Sequence, residues 1–326
     1  MSEVSIKPES AEEPAEDVPV FKIARDGDVA FEVFLGTAKT KIHVLVSSHR
    51  LSAASTVFNA MFNSNFREGV GRTRANAGSG KPFVVPLPED DAMAIVLLCG
   101  IIHGKVNDVV ETNSSVSELY SLAILGDKYA CTERLSYWMA IGLGVKSLLP
   151  GRHNIQDIWT LLRVAYIQND SCAFERLSAE ILTRHPGTIL DLPELAEHGL
   201  VHHNILGAFQ VKREKALLRL HACIERFLEE ILCHGQNDQV LHYLNQLRKI
   251  GLFPLAAAHQ HRSISSILES ISNLELPNPK IMSIRVRWIT ENLSATMQEN
   301  LGLCLICIKM DGYSGFENKC SRHAPK

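Results

Sequence analysis

Four residues near the end of the chain, Cys304, Cys307, Cys320 and His323, have the types and spacing of a metal site. The pairs Cys304-x2-Cys307 and Cys320-x2-His323 are separated by twelve residues that include Asp311, Gly312 and Gly315. Two closely spaced thiolate and imidazole pairs across such a loop suit a tetrahedral structural zinc. Metal binding of this kind contributes about 10–16 kcal/mol, enough to fold a tail with no other core. Four protein ligands leave no open position, so such a zinc would be structural, not catalytic. The same stretch, with Leu305, Ile306 and Ile308, also reads as a buried helix.

The remaining candidates for chemistry are weaker. His202-His203 and His259-x-His261 lack a third ligand at a recognisable spacing, and His198, His234 and His242 stand apart from any partner motif. Gly78-Ser79-Gly80-Lys81 resembles the end of a phosphate loop, but Ala75 replaces its first glycine and Pro82 its magnesium-holding hydroxyl. No Gly-x-Ser-x-Gly elbow is present. Glu225, Glu229 and Glu230 share a helical pattern with Arg219 and Arg226, which reads as a solvated, ion-paired face and not as an acid/base pair. These residues predict a protein with no catalytic activity of its own.

Composition sets the frame around these sites. A length of 326 residues predicts two domains, and 46% hydrophobic with 21% charged residues is ordinary for a globular chain. A formal net charge of −3 argues against nucleic acid as a partner. Apolar runs such as 94–102 are too short to span a bilayer, so no membrane partner is expected. The start of the chain lacks the basic-then-apolar pattern of a secretory signal. Cys99, Cys131, Cys172 and Cys223 fall inside apolar helical patterns, where a cysteine acts as a small hydrophobe. A reducing compartment, cytoplasmic or nuclear, is the expectation.

The elements follow in order. Residues 1–20 are acidic and proline-punctuated, which predicts a disordered tail. From Asp28 the period is two: Val29, Phe31, Val33 and Leu35, then Ile42, Val44 and Val46, predict a β-hairpin linked by residues 36–40. The period then lengthens. Leu51, Ala54, Phe58, Met61 and Phe62 recur at three or four residues, with Ser47 and Ser48 in the N-cap region. Phe83-Val84-Val85, hemmed by Pro82, Pro86 and Pro88, predicts a short strand at a sheet edge. Helices follow through Ile95 and Leu98, through Leu119 and Leu122, and through Leu135 and Trp138, the last loosened by Gly142 and Gly144. Beyond Asn154 strand signals nearly vanish, and helices are expected over 155–163, 172–182, 212–232, 240–250 and 264–274.

Hairpin, helical pair, short strand and further helices resemble the BTB/POZ domain, in its fungal form. The carrying residues are Asp28-Val29, VSSHRLSAASTVFNAMF over 46–62, Leu87-Pro88-Glu89-Asp90-Asp91, Ile101-Ile102-His103-Gly104, and Leu122-Ala123 with Asp127-Lys128-Tyr129-Ala130-Cys131. Ser47-Ser48 and Thr56 depart from the family's usual His-Lys and proline. The resemblance implies an α+β BTB/POZ domain over 21–145, a small sheet with clustered helices. A mostly α-helical C-terminal domain over 150–300 and the Cys/His tail over 301–326 would follow. Fungal relatives with similar terminal cysteine clusters add weight to the zinc.

The resemblance also implies partners. A homodimer would form through a self-complementary face including Val29, Phe31, Leu51, Ala54 and Val57, burying on the order of 1,600 Å². Phe66-Arg67-Glu68 sits where BTB adaptors of cullin-type ubiquitin ligases carry a hydrophobic-x-acid triplet, so Phe66 and Glu68 are the cullin-docking candidates, with an unidentified protein as the ligase substrate.

Overall fold

The computed structural model describes residues 18–36, 38–63, 81–105, 115–147, 153–188, 203–233, 237–254, 261–274 and 301–309. The chain divides into two compact units, Met1–Val106 with Lys128–Arg134, and Asn107–Asp127 with Leu135–Lys326. The expected 21–145 segment therefore runs from the first unit into the second.

The first unit is α+β and is built on a mixed four-stranded sheet. Strands β1 (Val20–Lys22), β2 (Val29–Leu35), β3 (Thr40–Val46) and β4 (Phe83–Asp91) lie in the order β1-β3-β2-β4. The hairpin β2-β3 is antiparallel, with Phe31 opposite Val44 and Val33 opposite Ile42. Both outer strands are parallel to their neighbours, β1 to β3 and β4 to β2. Gly36 and Lys39 adopt positive φ in the hairpin link, where the Lys39 N–H closes the turn on the Gly36 carbonyl at 3.2 Å. The predicted strand at Phe83 is at an edge as expected, but it runs on to Asp91 through Pro86 and Pro88. An edge strand has one unpaired side, so prolines there cost no ladder bonds.

Alternation buries Phe31, Val33, Ile42, Val44 and Val85 on one face of this sheet. Helices α1 (Ser48–Ala54), α2 (Thr56–Asn63) and α3 (Ala92–Ile102) add Leu51, Phe58, Phe62, Ile95 and Leu98 to the core. Asp91 caps α3, its carboxylate accepting from the Ala94 N–H at 2.7 Å.

The second unit holds helices α4 (Val116–Lys128), α5 (Thr132–Ser147), α6 (Ile155–Ile167), α7 (Ser171–Arg184), α8 (His203–Cys233), α9 (Asn237–Lys249), α10 (Ile264–Ser272) and α11 (Leu305–Lys309). Lys128 at the end of α4 and Thr132–Arg134 at the start of α5 belong to the first unit. Side-chain caps mark several starts. Ser115 and Glu118 form a reciprocal capping box. Asn154, Asp170 and Ser263 cap α6, α7 and α10. Helix α8 begins at His203 rather than 212, because Ile205, Ala208 and Phe209 extend its buried face. Helix α5 runs unbroken through Gly142 and Gly144. Gly142 is a packing residue rather than a loosening one: a Cβ there would stand 2.8 Å from a Leu119 methyl.

Candidate interaction surface

An aromatic stack lies in the core of the first unit. Phe58 lies 5.7 Å from Phe31, 6.1 Å from Phe62 and 4.5 Å from Tyr129, all near parallel. Tyr129 reaches past the stack to Asp90, which is buried at the end of β4 and accepts from the phenol at 2.5 Å and from Lys128 Nζ at 2.6 Å. Burial, and then the Asp90 carboxylate, push the Tyr129 phenol up, so it remains a donor. The Ser55 hydroxyl joins α2 to the same segment. It donates to the Tyr129 carbonyl at 2.5 Å and accepts from the Phe58 N–H at 2.9 Å.

The start of α1 is held from outside the helix. Ser47 has the N-cap position but makes no side-chain cap bond. Ser48 instead donates its backbone N–H (2.8 Å) and its hydroxyl (2.6 Å) to the Asp28 carboxylate. The Ser47 N–H donates to His103 Nε2 at 3.0 Å, and His103 Nδ1 donates to the Cys99 carbonyl at 2.7 Å. One ring nitrogen accepts and the other donates, so this imidazole is neutral. Burial lowers its pKa, with the Arg50 and Lys105 charges adding to the effect against the bond to Cys99. With both nitrogens engaged by backbone, His103 is a brace and not a poised base. Asp28 and His103 appear in sequence only as motif members; their capping role emerges because the fold joins residues far apart in the chain.

Outside this core, apolar residues reach solvent. Strand β1 is exposed at all three positions, with Val20 at 48% and Phe21 at 42%. Val57 on α2, Val84 on β4 and Met93 on α3 are also exposed. Of the residues expected in a dimer face, Val57 is exposed and Ala54 is half-buried. Val29, Phe31 and Leu51, also expected there, are each 0% exposed in this single chain. Their spacing marked them as apolar, and the core claims them because β2 is central in the sheet and α1 turns Leu51 inward. Phe66 and Glu68 lie outside the described residues, just beyond the end of α2 at Asn63.

In the second unit, residues 301–309 dock against α7. The Leu303 N–H donates to the Ser178 hydroxyl at 2.8 Å, and Gly302 lies so close that a Cβ would strike the Glu175 carbonyl oxygen. Lys309 Nζ donates to the Tyr166 carbonyl at 2.8 Å and to Asn169 Oδ1, with the Tyr166 ring 4.4 Å away. Cys304 is buried here and Cys307 is half-buried. Cys320 and His323 lie outside the described residues, and among the described residues no three His, Cys, Asp or Glu side chains are placed to hold a metal.

Two arginines stitch the helices in a way the sequence did not signal. Buried Arg213 on α8 donates to the carbonyls of His185 (2.9 Å) and Arg262 (2.8 Å). Arg262 donates to the carbonyls of Ile250 and Ser266, each at 3.0 Å. Carbonyl dipoles are the ligands in every one of these bonds, which makes both guanidiniums structural. Glu225, Glu229, Arg219 and Arg226 are exposed along α8, as expected of a solvated face. His198, His202 and His259 lie outside the described residues, whereas His261 is exposed and His242 lies 3.4 Å from the Gln246 amide.

Among the described residues, no helix is long and apolar enough to cross a membrane. No protein-family model matches the chain, and no curated protein matches it.

Proposed function

We propose that this chain is a protein-interaction module of the BTB/POZ kind, acting by homodimerisation or scaffolding and carrying no catalytic activity of its own. The observation behind the reading is the first unit's apolar exterior. Val20, Phe21, Val57 and Met93 are exposed, while Phe31, Phe58 and Phe62 of the stack are fully buried. An apolar surface over a rigid support suits partner binding better than chemistry. The reading places the protein in the cytoplasm or nucleus, a reducing setting that suits cysteines used as small buried hydrophobes, as Cys99 and Cys131 are. Light scattering on the full chain at tens of micromolar tests it: a dimer is expected, and a strict monomer would sink homodimerisation.

A second reading is substrate adaptor of a cullin-type ubiquitin ligase. It rests on Phe66-Arg67-Glu68, which begins three residues after α2 ends at Asn63. An apolar anchor beside a charge is a sensible hot spot. Pull-down of a cullin that is lost on Phe66→Ala with Glu68→Ala supports it; no pull-down, or one unchanged by the substitutions, removes it. A structural zinc on Cys304, Cys307, Cys320 and His323 belongs to the same proposal, as a clasp anchored on the segment 301–309 that packs on α7.

A further inference from the structure

The two edges of the sheet differ in what they offer. In a parallel ladder, residues bonded to the neighbouring strand alternate with residues whose N–H and C=O point the other way. At β1 the Pro19 carbonyl accepts from the His43 N–H at 2.9 Å, and the Ile23 N–H donates to the Leu45 carbonyl at 3.0 Å. With Val20 opposite His43 and Lys22 opposite Leu45, the odd positions 19, 21 and 23 serve β3. Val20 and Lys22 therefore turn their N–H and C=O groups away from β3, to an edge that no other described strand occupies.

At β4 the Phe83 N–H donates to the Asp28 carbonyl at 2.9 Å, so 83 and 85 serve β2 while 84 and 86 face out. Position 86 is proline and has no N–H to offer. Pro88, in the irregular stretch that follows, has none either. Prolines at such positions block strand addition. Among the described residues, the β4 edge is closed to pairing and the β1 edge is open.

We propose that two copies of this chain join along β1, in antiparallel register about a two-fold axis at Phe21. The proposal rests on the homodimer reading and names the surface that would carry it. In this register Val20 of one copy faces Lys22 of the other. Both residues turn their backbone groups outward, so the two symmetric pairs exchange four N–H to C=O bonds. Phe21 then meets its own copy at a non-hydrogen-bonded position, where Cα atoms approach to about 4.5 Å and aromatic pairs gain most. Self-pairing thus satisfies the open backbone groups and covers the exposed Val20 and Phe21 side chains in one step. The four-stranded sheet, ordered β1-β3-β2-β4, becomes half of a continuous two-fold sheet whose outer edges are both β4, already blocked.

Proline scanning of the two edges in the full chain tests this, with light scattering as the readout. Lys22→Pro removes one outward N–H and leaves the bonds to β3 intact, so the dimer dissociation constant should rise at least tenfold. Val84→Pro removes an outward N–H from the other edge and should leave it unchanged. Phe21→Cys should form a cross-chain disulfide in air, above the background of the unsubstituted chain, because a non-hydrogen-bonded pair meets the Cα spacing a disulfide needs. A dimer that survives Lys22→Pro, or a Phe21→Cys chain that does not cross-link, overturns the β1 interface and leaves association through another surface standing. A monomeric unsubstituted chain overturns both. If Lys22→Pro fails to fold, the cross-linking result decides alone.

Discussion

His103 should make the first unit sensitive to mild acid. The ring must be neutral, because Nε2 accepts from the Ser47 N–H at 3.0 Å while Nδ1 donates to the Cys99 carbonyl at 2.7 Å. Protonation would set an N–H against an N–H inside the fold. Burial holds the folded pKa below the ordinary 6.5, so the unfolded chain takes up the proton first as pH falls. The unfolded state then binds more protons, and stability must fall with it. His103's contribution is complete above pH 6.5 and is lost as pH drops from there through the lower folded value. Between about pH 7.5 and pH 5.5 one such histidine contributes a loss of at most about 1.4 kcal/mol. His103→Gln keeps an acceptor for Ser47 and cannot titrate, so the difference in acid sensitivity between the two proteins isolates the effect. Urea unfolding followed by circular dichroism reads it. Tryptophan fluorescence would not, since Trp138, Trp159 and Trp288 all belong to the second unit. Equal acid sensitivity in the two proteins, or a His103 carbon-13 resonance titrating at or above pH 6.5, would refute the reasoning.

Phe58→Ala should destabilise the first unit by about 3–5 kcal/mol, since Phe58 is wholly buried among Phe31, Phe62 and Tyr129. Hydrogen exchange over β2 and α2 checks this, and unchanged protection would count against the stack as the core. Gly302→Ala should loosen residues 301–309 from α7 at a cost of about 1–3 kcal/mol, because the Glu175 backbone has no rotamer with which to give way. Faster exchange in that peptide is the expected result; an unaltered rate would show that the contact tolerates a methyl. For the tail, zinc measured in the intact chain should drop in both Cys304→Ser and Cys320→Ser, and unchanged content in both rules this site out.

Periodicity read the elements well where one face alone decides burial. Val29, Phe31, Ile42 and Val44 alternate in sequence and lie paired in β2 and β3. Asp91 and Asn154 cap the helices they precede. The β4 edge was legible too, because proline lacks the N–H an interior strand needs. Periodicity does not decide which apolar residue a partner could reach; the dimer face was implied by the resemblance alone. Val29, Phe31 and Leu51 carry the same pattern as any exposed apolar face, and only the helices over the sheet decide that they are core. The strand β1 escaped notice altogether, since three residues are too few to show a period.

The sequence by itself determined the α+β order of the first unit, the helical character of the second, the blocked β4 edge and the spacing of the terminal cysteines and histidine. Those are local properties, carried by residue type and by repeats of two or of three to four. Tertiary structure alone decided that Asp28 and His103 hold the start of α1, that Arg213 and Arg262 bind carbonyls of distant segments, and that Val20 and Lys22 turn their backbone groups to an open edge. Each depends on which strand or helix lies beside which. Residues brought together across long stretches of chain leave no periodic trace for the sequence to show.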